Sequence, residues 1–125
     1  MPFRELIAVA LGGALGTLAR VGALEAAEHL ERGDLIATLA ANTLGALGLA
    51  FVVARGLPEF PSWIQHGITI GFFGSYTTFS AIALVTVTEV VAIGVGYLVV
   101  TLVTGVLAVL VGKALGDAAR RGLPS

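Results

Sequence analysis

The sequence predicts an all-α membrane protein with four transmembrane helices, the third of which is broken near the middle of the membrane. Hydrophobic residues make up 57% of the 125 residues and charged residues 12%, and the mean hydropathy is +0.98. Soluble domains carry about a quarter charged residues, so this composition favours a single membrane-inserted domain. Polar turns divide the chain into four apolar spans, at about residues 5–24, 35–54, 66–88 and 90–112, each long enough to cross a bilayer.

Several classes of protein are disfavoured by what the chain lacks. There is no cysteine, and the net charge of -1 argues against a nucleic-acid partner. No metal-ligand cluster, nucleotide-binding loop or nucleophile with an adjacent base is present, so we expect no enzyme. No carboxylate lies deep within a span, which disfavours a proton-coupled carrier. The first apolar segment has no separate cleavage region, and we interpret it as a retained span.

The first span, at residues 5–24, contains two glycines that permit close helix contact. Gly12 and Gly16 are four residues apart on one helix face, a spacing that lets two backbones approach. Arg20 lies in the last turns of the span and either reaches the headgroups or lines a polar vestibule. Residues 25–34 carry four carboxylates, and we interpret them as a solvated linker.

The second span, at residues 35–54, has one polar face. Asn42 lies near its centre, with Thr38 four residues before and Gly45 three after, which places all three on the same side of a helix. A carboxamide in hydrocarbon must find partners. It either holds helices together, at about 1 kcal/mol, or presents its N–H groups to a pore, and the span alone favours the first.

The third span follows a loop at residues 55–65 and contains the stretch GFFGSYTTFS at residues 71–80. Glycine and adjacent threonines propagate a helix poorly, so their position predicts a break near mid-membrane. Irregular backbone is tolerated at that depth only where it is buried in protein or lines a polar cavity. Broken helices of this kind coordinate ions in transport proteins; the alternative is an intact helix with a packing face of small residues.

The fourth span, at residues 90–112, carries Tyr97, Thr101 and Gly105 at four-residue steps on one stripe. Each residue of this type is more often a packing residue, with threonine bonded to its own helix. After the span, Lys113 and two arginines form what we expect to be an exposed basic tail.

These motifs together resemble the Fluc (CrcB-like) family of fluoride ion channels. The stretch at residues 71–80 is similar to the family's third-span pattern G-F-x-G-x-x-T-T-F-S, which is the most specific of the matches. GGALGTLAR at residues 12–20, TLAANTLG at residues 38–45 and YLVVTLVTG at residues 97–105 resemble the motifs of the other spans. The resemblance extends over essentially the whole chain.

The resemblance implies a passive fluoride channel in the cell (inner) membrane, built as an antiparallel, dual-topology dimer with two pores. It also implies a structural sodium ion on the two-fold axis, bound by the backbone carbonyls of Gly74 and Thr77 from both subunits. Arg20 is then a vestibule or structural residue. The implied fluoride pore residues are Asn42, Phe79, Thr38, Ser80, Ile82, Tyr97 and Thr101.

One departure from the family pattern concerns the pore lining. Ile82 occupies a position where a second phenylalanine is usual, so the chain is alternatively the degenerate subunit of a heterodimeric fluoride channel. A small multidrug-type exporter is the other alternative, because it shares four short spans and dual insertion. It predicts a deep glutamate in the first span, whereas Glu5 lies at the membrane edge.

Basic residues are divided unequally between the two sides of the membrane. The side with the N-terminus, second loop and C-terminus holds five and the opposite side two, which weakly favours an N-in orientation. A dual-topology homodimer needs little bias, and we favour it over a heterodimer without excluding the latter. The five are Arg4, Arg55, Lys113, Arg120 and Arg121; the two are Arg20 and Arg32.

Overall fold

The computed structural model describes residues 2–122, without the side chains at positions 80, 81, 85, 86 and 88. Over that part of the chain the protein is all-helical and contains no β-strand. The elements are α1 (Phe3–Ala27), α2 (Gly33–Arg55), a short 3₁₀ turn (Leu57–Glu59), α3 (Ser62–His66), a π-helical segment (Gly67–Phe73), α4 (Gly74–Tyr76), α5 (Phe79–Thr88) and α6 (Val91–Arg121).

Three of the helices, α1, α2 and α6, are long and apolar enough to cross a membrane. The remaining predicted span, at residues 66–88, is not one helix but a succession of α3, the π-helical segment, α4 and α5. The wide π-helical turns were not predicted from the sequence. They coincide with a stretch that contains two glycines, Gly67 and Gly71. Short π-helical insertions are frequent at functional sites.

Backbone conformation explains where α2 begins and ends. Arg32, which precedes α2, adopts the left-handed conformation with φ 56 and ψ 37. Gly56 follows α2 with φ 136, a region that residues with a Cβ rarely adopt. Pro58 lies in the 3₁₀ turn and Pro61 directly precedes α3, where a missing N–H is harmless. The second loop is therefore compact.

Glycines set the distance between α1 and the π-helical segment. A Cβ added at Gly12 would overlap the carbonyl oxygen of Gly67, and one added at Gly16 would overlap that of Phe72. From the facing side, a Cβ on Gly71 would lie 2.7 Å from the carbonyl oxygen of Val9. The close helix contact predicted from the four-residue glycine spacing is therefore confirmed.

Helices α2 and α6 form the other extensive contact. Here too glycines face backbone, since a Cβ on Gly112 would overlap the carbonyl oxygen of Leu47, and one on Gly116 would lie 2.5 Å from that of Phe51. The basic residues that follow the fourth span are exposed as expected, and they lie on α6, which continues to Arg121. Favourable pairing supports the extension: Lys113 bonds Asp117 one turn later, at 2.9 Å.

Polar contacts define the two ends of the helix bundle. At one end Glu5 of α1 contacts Ser62 and His66, and Arg120 of α6 pairs with Glu59. At the other end Arg32 pairs with Glu89 at 3.3 Å, and the hydroxyl of Tyr97 donates to the carbonyl oxygen of Leu35 at 3.2 Å. The N-terminus, the second loop and the end of α6 thus share one end.

Candidate functional site

The helix break lies at Thr77 and Thr78, between α4 and α5. Thr77 is extended, with φ -85 and ψ 157, and its N–H donates to the carbonyl oxygen of Phe73 at 3.0 Å. Its hydroxyl donates to the same carbonyl oxygen at 2.8 Å. Helical hydrogen bonding therefore continues as far as Thr77 and stops there, at the position that the glycine and threonine pattern predicted.

Asn42 of α2 pairs with the backbone at this break. Its Nδ2 donates to the carbonyl oxygen of Thr78 at 3.1 Å, and its Oδ1 accepts from the N–H of Thr78 at 2.7 Å. On the same face of α2, Gly45 lies against Thr77, since an added Cβ would overlap the Thr77 methyl group. The polar face predicted for the second span is therefore turned toward the break.

One backbone carbonyl at the break loses its usual helical donor. In an unbroken α-helix the N–H of Thr78 would bond the carbonyl of Gly74, but here it is donated to Asn42. The next carbonyl considered, that of Thr77, belongs to a residue whose backbone is extended rather than helical. Neutral carbonyl oxygens of unwound segments suit a cation such as sodium. The carbonyls of Gly74 and Thr77 are therefore chemically compatible with the ion that the resemblance implies.

An open cleft of about 400 Å³ adjoins the break and is bounded by α2, the π-helical segment, α4, α5 and α6. Phe79 and Ile82, which occupies the position of the family's second phenylalanine, both border the cleft. They differ in burial, since Phe79 is 78% exposed and Ile82 is 8% exposed. None of the described residues that line the cleft carries a charge. Six of the predicted site residues line it: Asn42, Gly74, Thr77, Phe79, Ile82 and Thr101.

Hydroxyl groups continue from the cleft toward the start of α2. The Thr101 hydroxyl is buried and forms no hydrogen bond within the described part of the chain. Thr38, which is buried, and Thr101 both neighbour the Tyr97 hydroxyl, which donates to the carbonyl oxygen of Leu35. Thr38 and Tyr97 do not line the cleft itself. They extend its polar surface along the α2–α6 contact.

Two further candidates are not placed in the cleft. Arg20 of α1 is half-buried and does not line it; among residues 2–122 it forms no ion pair or side-chain hydrogen bond. The side chain of Ser80 lies outside the described residues, so its predicted role stays a prediction.

Sequence reasoning missed a buried carboxylate at one end of the bundle. Glu5 is 7% exposed, accepts from the Ser62 hydroxyl at 2.5 Å and lies 2.9 Å from His66 Nδ1. The signal was present, because Ser62 and His66 are four residues apart and therefore share a face of α3. The position of Glu5 at the membrane edge was predicted, but its contact with Ser62 and His66 was not.

Comparison with known proteins identifies the family. The sequence profile described as CrcB-like protein, Camphor Resistance (CrcB), matches residues 7–113. The chain belongs to the CrcB family. It is 35% identical over 112 residues to a Paracoccus denitrificans protein named fluoride-specific ion channel FluC, covering 86% of this chain and 90% of the relative. No solved structure shows a significant match.

Further relatives carry the same name. A Pseudomonas putida protein is 35% identical over 117 residues, covering 88% of this chain and 94% of the relative. A Bordetella petrii protein is 35% identical over 122 residues, covering 93% of this chain and 94% of the relative. Together with the three long apolar helices, membership makes the chain a multi-pass membrane protein of an ion-channel family. The family is one of ion channels rather than enzymes, as expected, and the alternative of a multidrug exporter finds no support in it.

Proposed function

We propose that the protein is a passive, fluoride-selective channel of the cell membrane that exports cytoplasmic fluoride. The cleft beside the helix break carries this proposal, because it combines the carboxamide of Asn42, the unpartnered hydroxyl of Thr101 and the exposed ring of Phe79. A buried polar group without a partner calls for a bound water or ion. The printed names of the relatives support fluoride as that ion.

The chemistry of the cleft suits a small, strongly hydrated anion. Such an ion needs hydrogen-bond donors that replace its water, and amide N–H and hydroxyl groups supply them without charge. The ring of Phe79 adds a weak attraction, because an aromatic edge is positive. Conduction also requires that the ion leave again, and a cleft without charged lining avoids holding it too tightly. Thr38, Tyr97 and Ser80 complete the proposed polar path.

The proposed assembly is a dimer of two copies inserted in opposite directions. Each copy would contribute the carbonyls of Gly74 and Thr77 to a structural sodium ion, which would satisfy backbone carbonyl groups beside the break. Replacing sodium by N-methylglucamine at constant ionic strength should then lower the thermal stability of the dimer. An unchanged midpoint for dissociation would contradict the sodium proposal.

A fluoride-efflux assay on the chain reconstituted alone tests the function directly. Liposomes loaded with potassium fluoride and treated with valinomycin should release fluoride when the protein is present, whereas chloride-loaded liposomes should retain chloride. Phe79→Ala and Thr101→Val should slow release, because each removes a group that lines the cleft. Thr43→Val is the matched control: it removes one interhelical hydrogen bond, from Thr43 to Thr104 at 3.2 Å, outside the cleft.

The same assay separates a homodimer from half of a heterodimer. Ile82 presents bulk where a ring would present a positive edge, and a ring–ion contact of this kind is worth on the order of 1 kcal/mol. Ile82→Phe should therefore leave flux within about tenfold of the wild type. An inert wild type that Ile82→Phe restores by orders of magnitude would instead favour a degenerate subunit.

Chloride release at a rate comparable with fluoride release would refute the proposal of a fluoride-selective channel.

A further inference from the structure

We infer that Asn42 is a positioning residue, which maintains the helix break by binding the peptide groups on both sides of the Thr78 Cα, and that the proposed conduction rests on this pairing. A side-chain carboxamide has one face that carries both a carbonyl oxygen and an N–H. In this protein that face meets the N–H of Thr78 at 2.7 Å and its carbonyl oxygen at 3.1 Å. Asn42 thereby forms with Thr78 the same two hydrogen bonds that a residue of a neighbouring antiparallel β-strand would form.

Two acceptors are available to the N–H of Thr78: the carbonyl of Gly74 and the side chain of Asn42. In an unbroken helix the N–H of Thr78 would bond the carbonyl of Gly74; the glycine and threonine content of the stretch weakens that helix without forbidding the bond. Asn42 Oδ1 accepts this N–H instead, while Asn42 Nδ2 satisfies the carbonyl of Thr78 itself. Without the carboxamide, both groups of Thr78 would lack these partners in an apolar setting. Closing the break into a helix would then be the cheapest way to satisfy the N–H.

The pairing also limits what Asn42 can offer an ion. A carboxamide has two N–H donors, and one of them is already given to Thr78. Asn42 forms no further hydrogen bond within residues 2–122 as described, and it borders the cleft. One N–H therefore remains for an ion there. Holding the break and meeting the ion are separate tasks that two protons of the same group perform.

Selective isotope labelling observes the two protons separately, because Asn42 is the only asparagine in the sequence. In protein labelled with ¹⁵N-asparagine and held in lipid nanodiscs, the side chain should give a single pair of NH₂ resonances. One proton should lie downfield and exchange slowly with or without fluoride, and added sodium fluoride should shift the other. Two protons that exchange equally fast in the absence of fluoride would overturn the inference.

Two substitutions test the positioning role in the efflux assay. Asn42→Ala removes both bonds and should reduce flux by about a hundredfold, since each bond is worth about tenfold. Asn42→Asp is more informative, because a protonated carboxylic acid can still accept from and donate to Thr78 but has no second proton. Its flux should recover as the pH is lowered, after subtraction of the leak from protein-free vesicles, while wild type and the Thr43→Val control change little.

The outcomes distinguish this inference from the proposed function. If Asn42→Ala keeps flux within about tenfold of the wild type, the bonds to Thr78 are dispensable and the positioning role is refuted. An Asn42→Asp variant that is inactive at every pH while its dimer remains folded shows that the second proton is also required, and the exchange rates of the two ¹⁵N-bound protons then decide the positioning role. A wild type that shows the slow, downfield proton but releases no fluoride refutes the proposed function instead, and leaves the assignment of Asn42 to the break intact. Recovery of Asn42→Asp under acidic conditions supports both.

Discussion

The tight contact between α1 and the third span makes a graded prediction about stability. An added Cβ at Gly71 would lie 2.7 Å from the carbonyl oxygen of Val9, and 3.2 Å from the Cα of Gly12 and the N of Gly13. All three are backbone atoms of α1, so no side chain can rotate away and the helix itself must move. At Gly67 the nearest atom is the Ala8 Cβ at 3.1 Å, a milder overlap, and at Gly22 nothing lies within 4 Å.

These distances set the expected order of stability. Overpacking costs about 1–3 kcal/mol, and each 1.4 kcal/mol is about tenfold in an equilibrium constant. Gly71→Ala should therefore raise the unfolded fraction about fivefold to a hundredfold, with Gly67→Ala intermediate. Gly22→Ala should be neutral or stabilising by up to about 1 kcal/mol, because alanine is the better helix former.

Unfolding in mixed micelles of dodecylmaltoside and sodium dodecyl sulfate provides the measurement. Trp63 is the only tryptophan and lies in α3, with the Arg4 guanidinium 5.8 Å from its ring centroid. Its fluorescence therefore reports directly on the α1–α3 contact. Equal midpoints for Gly71→Ala and Gly22→Ala would refute the argument that backbone contact fixes this interface.

Two further predictions concern the ends of the bundle. Arg32→Gly should be neutral or stabilising by up to about 1 kcal/mol. The left-handed backbone conformation costs a residue with a Cβ about 1–2 kcal/mol, whereas the part-exposed ion pair with Glu89 that would be lost is worth about 0–1 kcal/mol. A lower thermal midpoint for this variant would contradict the prediction. Glu5→Ala should lower stability, because Ser62 and His66 lose their shared acceptor. Glu5→Gln, which keeps an acceptor for Ser62, should lower it less, and equal losses for the two variants would show that the Ser62 hydrogen bond contributes nothing.

The sequence was sufficient where a property depends on local pattern. Apolar length predicted the helices, and the four-residue spacing of Gly12 and Gly16 predicted a backbone contact that the structure contains. It was insufficient where two distant segments meet. The contact of Arg120 with Glu59 joins residues 61 positions apart, and no local pattern indicates it.

The candidate site shows the same division. Glycine and threonine content predicted the break itself, and the periodicity of the second span put Thr38, Asn42 and Gly45 on one face. Neither could show that Asn42 binds Thr78 rather than facing the cleft with both protons, because two residues 36 positions apart in sequence leave no periodic signal. The two interpretations of Asn42, as a helix-holding group and as a pore group, were stated as alternatives.

In the structure Asn42 can hold the helix break and contribute to the pore at the same time, because its carboxamide has more hydrogen-bonding groups than the break uses. A broken helix in hydrocarbon requires partners for its free N–H and carbonyl groups. If the partner were a charged side chain, it would also bind a passing anion tightly or repel it. A carboxamide satisfies one N–H and one carbonyl of Thr78, remains neutral and retains a donor. An alanine at position 42 would remove both bonds to Thr78, and a lysine would replace a weak ion site with a strong one. The requirement for a stable break and the requirement for a weak ion site thus select the same side chain.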